Sequence, residues 1–206
     1  MLIKLFDFFI EIFLNVGVKE EFMVDFSGRK VLGSLIYSKK KTICEMYGKE
    51  DFKDLVSAID DEEVREILNG SVMSNEWYPM KVLMEFILAI ERKYGRDFLQ
   101  RLLEIQTEQQ IKGVYALFAK FLTISMVAPR ADSMWKKQYG VGDLKVEYDD
   151  KQIKGILTNY ETIDLHAFAL WVWLKKFIEC VLNKKIKDSN YKFVDSSTLE
   201  FFYLLE

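Results

Sequence analysis

The sequence predicts an α+β fold, mainly helical, in which a helical layer packs on a small antiparallel sheet built from two hairpins flanking one long helix. Three observations carry this. Apolar residues recur at spacings of three and four from Gly33 to about Tyr139. Two later segments, 144–157 and 186–205, show strand-type patterning around short turns. Between them, Asp164 to Asn183 is an apolar stretch of helical length.

The elements follow in order. At the start, Lys4, Asp7, Glu11 and Asn15 form one narrow polar stripe on a helix over Met1 to Val16 whose remaining surface is apolar. Gly33 opens and Gly48 stops a helix over 33–47 carrying Leu35, Ile36, Ile43 and Met46. Two short helices are expected at about 50–59 and 61–69, the second announced by Asp60 as N-cap ahead of Asp61, Glu62 and Glu63. Pro79 sits in the first turn of a strongly apolar helix running to Tyr94, and Gly95 ends it. A helix from Arg96 carries Leu99, Leu102 and Leu103, with Gly113 marking a break before Val114 to Val127, and Pro129 opens a short helix containing Trp135 and Tyr139.

After Gly140 the period changes to two. Leu144, Val146 and Tyr148 alternate with Lys145, Glu147 and Asp149, and Ile153, Gly155 and Leu157 follow the turn. The second hairpin joins 186–194 to 199–205 through Asp195, Ser196 and Ser197. The pattern puts Leu144, Val146, Tyr148, Phe201 and Tyr203 toward the helices, and Phe202 and Leu204 on the other face. With no repeat and no Pro-rich linker, the chain divides into an N-terminal helical extension, 1–27, and one α+β domain, 28–206.

Composition narrows the function. The 206 residues are 50% hydrophobic and 30% charged, a packed globule rather than a disordered chain. A net charge of -3 leaves no bulk positive field for a nucleic-acid backbone. Cys44 and Cys180 are far apart with no Cys or His companion nearby, which fits reduced thiols in the cytoplasm and no metal site. No run reaches the roughly 18 apolar residues of a membrane span, and Asp7 and Glu11 interrupt what would be a signal-peptide core. Stable membrane insertion is not expected.

Enzyme patterns are missing. His166 is the one histidine, nothing matches a HExxH, Walker or GxGxxG pattern, and no catalytic residue, cofactor or metal is assigned. His166, near the start of an apolar helix, reads as structural. The acidic groups at 60–63 and 149–150 read as caps and turns, and Lys39, Lys40 and Lys41 read as a solvated helix face.

What stands out is apolar excess. Met80 to Ile90 nearly encircle their helix, and 114–127 and 168–182 are similar. An amphipathic helix needs one apolar stripe, so encirclement implies burial by a core, a subunit or a lipophilic ligand. Leu83, Phe86, Phe118, Phe121, Trp171 and Trp173 are the candidate lining of such a ligand pocket. Two function classes follow: a noncatalytic small-molecule-binding or sensor domain, and a homodimeric protein-interaction (adaptor) module without ligand. The N-terminal helix, with Phe6, Phe8, Phe9 and Phe13 beyond its polar stripe, is expected to pack between two copies of the chain.

Gly33 to Gly48, Trp77-Tyr78-Pro79, Tyr94-Gly95-Arg96-Asp97, Ala128-Pro129, Trp135 to Gly142 and the hairpin-helix-hairpin ending together resemble a bacterial family of unknown function with many myxobacterial paralogues. That family is similar in architecture to 4-vinyl-reductase-type, haem-nitric-oxide-binding-like and trafficking-particle-subunit domains. The resemblance covers about Gly33 to the C-terminus and implies a sensor or adaptor fold. Haem-binding relatives use a helix-borne proximal His, which the helices from Pro79 onward to Val114 lack, so no haem is implied here. Vinyl-reductase-type relatives carry cysteines near the last hairpin, where this chain has Asp195-Ser196-Ser197.

Overall fold

In the computed structural model of the chain, which describes residues 24–114, 123–182 and 184–206, a three-residue strand β1 (Lys30–Leu32) leads into helix α1 (Gly33–Tyr47). Helices α2 (Lys49–Ser57) and α3 (Glu62–Asn69) follow, then strand β2 (Trp77–Pro79) and helices α4 (Met80–Tyr94) and α5 (Arg96–Val114). Beyond the undescribed residues come α6 (Ile124–Val127), one 3-10 turn (Ala128–Arg130) and α7 (Ala131–Lys136). The remainder is β3 (Asp143–Tyr148), β4 (Gln152–Thr158), α8 (Asp164–Leu182), β5 (Ile186–Asp195) and β6 (Thr198–Leu205). The expected α+β class holds.

Local chemistry explains most boundaries. Asp61, one residue beyond the expected Asp60, caps α3 by accepting the Val64 N–H at 3.0 Å. Gly95 ends α4 at φ +85, its N–H donating to the Glu91 carbonyl at 2.7 Å. Asp149 turns the first hairpin by accepting the backbone N–H groups of Lys151 and Gln152. Two expectations change. The α5 helix runs through Gly113 to Val114, because helical hydrogen bonds tolerate an isolated glycine. Tyr139 lies beyond the end of α7, held by strand β1 instead: Leu32 N–H donates to the Gln138 carbonyl at 2.8 Å and Gly140 N–H to the Lys30 carbonyl at 2.9 Å.

The β1–β2 pair was not apparent from the pattern. It packs the entry to α1 so closely that a Cβ on Gly33 would come within 2.1 Å of the Met73 carbonyl and 2.7 Å of the Tyr78 ring. Only glycine fits there.

The four-stranded sheet has the order β3-β4-β6-β5, antiparallel throughout. Val146 stands opposite Gly155, which stands opposite Phe201, and Tyr148 opposite Ile153, which faces Tyr203, so the expected set shares one face. Tyr148 ends that row at the outer edge and is 43% exposed. Phe202 and Leu204 are half-buried on the opposite face. Helix α8 packs along α5 and against β5 and β6, while α7 lies against β3.

The girdle on α4 finds its cover within one chain. Val82, Leu83, Phe86, Ile87 and Ile90 are buried, and the helix touches α1, α2, α3, α5, α8 and both short strands. A central position in the core accounts for its encirclement without a second subunit. The first predicted helix, Met1 to Val16, lies outside the described residues.

Candidate ligand cavity

Between the helical layer and the inner sheet face lies a cavity of about 110 Å³. Among the described residues, α1 contributes Leu35 and Lys39, α4 Leu83 and Ile87, and α5 Leu103. The 3-10 turn and α7 supply Ala128, Ala131, Met134 and Trp135. From α8 come His166, Ala169, Leu170 and Trp173, and the sheet forms the floor through Leu144, Val146, Ile153, Gly155 and Tyr203. Gly155 leaves space on that floor, since its nearest potential Cβ contact is the Phe201 ring at 3.6 Å. The walls are overwhelmingly apolar, and a few polar groups converge on them, the usual composition of a small-molecule site.

One polar group is His166, in the first turn of α8 and 2% exposed. Its Nδ1 lies 2.9 Å from Thr162 Oγ1 and 3.3 Å from the Tyr160 hydroxyl, and its Nε2 lies 3.5 Å from the Tyr139 hydroxyl. Each of these oxygens can donate or accept, so either neutral tautomer is served. Burial, helped by the charge of Lys39, pushes the imidazole down to about 3. Burial likewise pushes the Tyr139 and Tyr160 phenols upward. Trp135 stacks on Tyr139 at 4.1 Å and donates its indole N–H to the Val141 carbonyl at 2.9 Å. These contacts make the His166 end of the cavity a neutral, internally satisfied cluster.

A second polar group is Lys39, which sequence patterning placed on a solvated face and the structure places in the cavity wall. It is 7% exposed. Its Nζ donates to the Leu35 carbonyl of its own helix at 3.2 Å. Burial lowers the amine to about 8. Its two neighbours in the basic run behave differently: Lys40 donates to the Leu68 and Gly70 carbonyls, and Lys41 pairs with Glu45. The signal lay in spacing, because Ile36, Lys39 and Ile43 fall on one helical stripe, and the outer two are fully buried.

The predicted pocket residues separate. Leu83 and Trp173 line the cavity. Phe86 is fully buried against Phe52, ring centroids 6.0 Å apart. Trp171 turns away toward Phe168 and Tyr191, and its buried indole N–H has no partner among the described residues. Phe118 and Phe121 lie outside the described residues. The acids at 61–63 and 149 cap and turn the backbone as expected, and no group of metal-ligating side chains occurs among the described residues.

The sequence matches no family profile and no curated protein. Solved structures match in fold. The unliganded Fe(II) H-NOX protein from K. algicida gives a TM-score of 0.62 at 14% identity, with 85% of this chain and 96% of that chain covered. A double mutant of Tt H-NOX gives 0.60 at 10% identity, covering 85% and 95%. A mutant H-NOX of T. tengcongensis gives 0.55 at 11% identity, covering 84% and 97%. At these identities the likeness is one of fold.

Haem is a theme of the H-NOX structures, and the residues here do not fit it. Both nitrogens of the one histidine are engaged by hydroxyl groups. A cavity of about 110 Å³ is also smaller than the roughly 150 Å³ that takes a benzene, far short of a tetrapyrrole. The chain therefore shares the H-NOX fold, and its own interior residues do not suit a haem.

Proposed function

We propose that this chain is a noncatalytic small-molecule-binding or sensor domain whose ligand is lipophilic and occupies the cavity between the helices and the sheet. The single observation that carries the reading is the largely apolar enclosure beside the neutral His166 cluster, formed by residues from ten elements. Occupancy by an apolar molecule would bridge α1, α4 and α8 to the sheet, which is how binding could be conveyed across the fold. The fold likeness to H-NOX proteins supports the domain type. Cys44 and Cys180 are thiols rather than halves of a disulfide, which suits the cytoplasm, and no helix among the described residues is long and apolar enough to cross a membrane.

Organic extraction of the purified full chain followed by mass spectrometry tests this. A stoichiometric apolar compound is expected from the native protein and its loss from Ala169→Leu, which fills the cavity from α8. A clean extract, together with no rise in melting temperature on adding small apolar compounds, would overturn it.

The second reading is a homodimeric adaptor. It is favoured by the apolar residues of Met1 to Val16 beyond their narrow polar stripe and by the exposed Tyr37, Met46, Tyr47, Met73 and Trp77. Light scattering on the chain lacking residues 1–16 should show the monomer mass where the full chain shows the dimer. Equal oligomeric masses would reject the helix as the dimer contact.

A further inference from the structure

Lys39 is the least explained group in the protein. An ammonium has three donors, and here one of them meets an acceptor, a carbonyl of its own helix. Among the described residues no Asp or Glu lines the cavity. Of the other polar groups there, the Tyr203 hydroxyl donates to the Trp171 carbonyl at 3.1 Å and Tyr139 faces His166, while Gln138 lines the wall with an uncharged amide. Because His166 is neutral, the described residues of the enclosure place one positive charge there and no carboxylate opposite it. Buried charges in proteins are ordinarily paired, so an ammonium 7% exposed in an apolar wall suits the anionic group of a ligand.

We propose that the cavity takes a small apolar carboxylate, its carboxyl group paired with the Lys39 ammonium and its hydrocarbon part lying against Leu83, Ile87, Leu170 and Trp173. This rests on reading the cavity as the ligand site. Charge balance selects the headgroup, since a monoanion neutralises one ammonium and a dianionic phosphate would leave a net buried charge. Size selects the tail: with a volume of about 110 Å³, below what a benzene ring takes, the room suits a short chain of on the order of four to six carbons. The amine, lowered to about 8, is still mostly protonated at pH 7 and able to pair.

The test is calorimetric titration of the full-length protein at pH 7 with hexanoate and with the neutral hexan-1-ol. Hexanoate is expected to bind at least about tenfold more tightly than hexan-1-ol. In Lys39→Met, which keeps the length and removes the charge, that preference should vanish while hexan-1-ol still binds. Equal affinities in the native protein, or a preference that survives Lys39→Met, would overturn the carboxylate anchor and leave the apolar cavity standing. Failure of both compounds to bind would overturn the anchor and count against the cavity reading as well. The native comparison decides the matter even where the variant folds poorly.

Discussion

Replacing Lys39 by methionine is expected to stabilise the ligand-free protein at pH 7 by about 3 kcal/mol, an unusual gain for one core substitution. The lysine amine is lowered from 10.5 to about 8 by burial, so the folded state is penalised for holding the charge. Between pH 8 and 10.5 an unfolded lysine binds a proton that the folded one has released, and native stability therefore rises with pH across that window. Methionine has nothing to titrate and nearly the same shape. Its advantage should be full below pH 8 and shrink toward pH 10.5. Urea titrations of both proteins at pH 7 and pH 10, after removal of bound apolar compounds, measure the difference. If methionine gives no gain at pH 7, the amine is solvated and the cavity has no uncompensated charge to offer a ligand.

His166 is expected to impose an acid limit of comparable size. Its imidazole is lowered from 6.5 to about 3, chiefly by burial and secondarily by Lys39. As pH falls below 6.5 the unfolded histidine gains a proton that the folded one refuses, so stability is lost progressively down to about pH 3, by as much as about 5 kcal/mol. His166→Gln should be less stable than the native protein at pH 7, because the hydroxyls of Thr162, Tyr160 and Tyr139 lose their common partner. The deficit should narrow between pH 6.5 and about pH 5.5, where carboxylates have barely begun to protonate. Unfolding curves that stay parallel over that interval would show that His166 does not titrate on unfolding. Lys39→Met should weaken the same acid effect, since it removes the charge that helps hold the imidazole neutral.

The two groups differed sharply in how readable they were. His166 at the head of an apolar helix was legible as a structural residue, and its three hydroxyl partners confirm a satisfied core position. Lys39 in a run of three lysines looked like surface, because charge in a cluster outweighs the period of its neighbours when a stretch is read by composition. Among the pocket candidates, Leu83 and Trp173 face the cavity, and Phe86 and Trp171 point elsewhere. A helix that is apolar all round does not declare which side meets a void.

The sequence by itself determined the elements whose signals are local. The hairpins at 143–158 and 186–205 rest on a period of two and on Asp149 and Asp195 turning the backbone, and α1, α4 and α8 rest on their periodicity and their stops. Tertiary structure alone decided what depends on contacts between distant segments. The three-residue pairing of β1 with β2 is too short to carry a pattern, and β4 meets β6 only because α8 folds across between them. The cavity is of the same kind: its walls come from ten elements, so no window of sequence contains it, and the burial of Lys39 became visible only once those elements had closed around it.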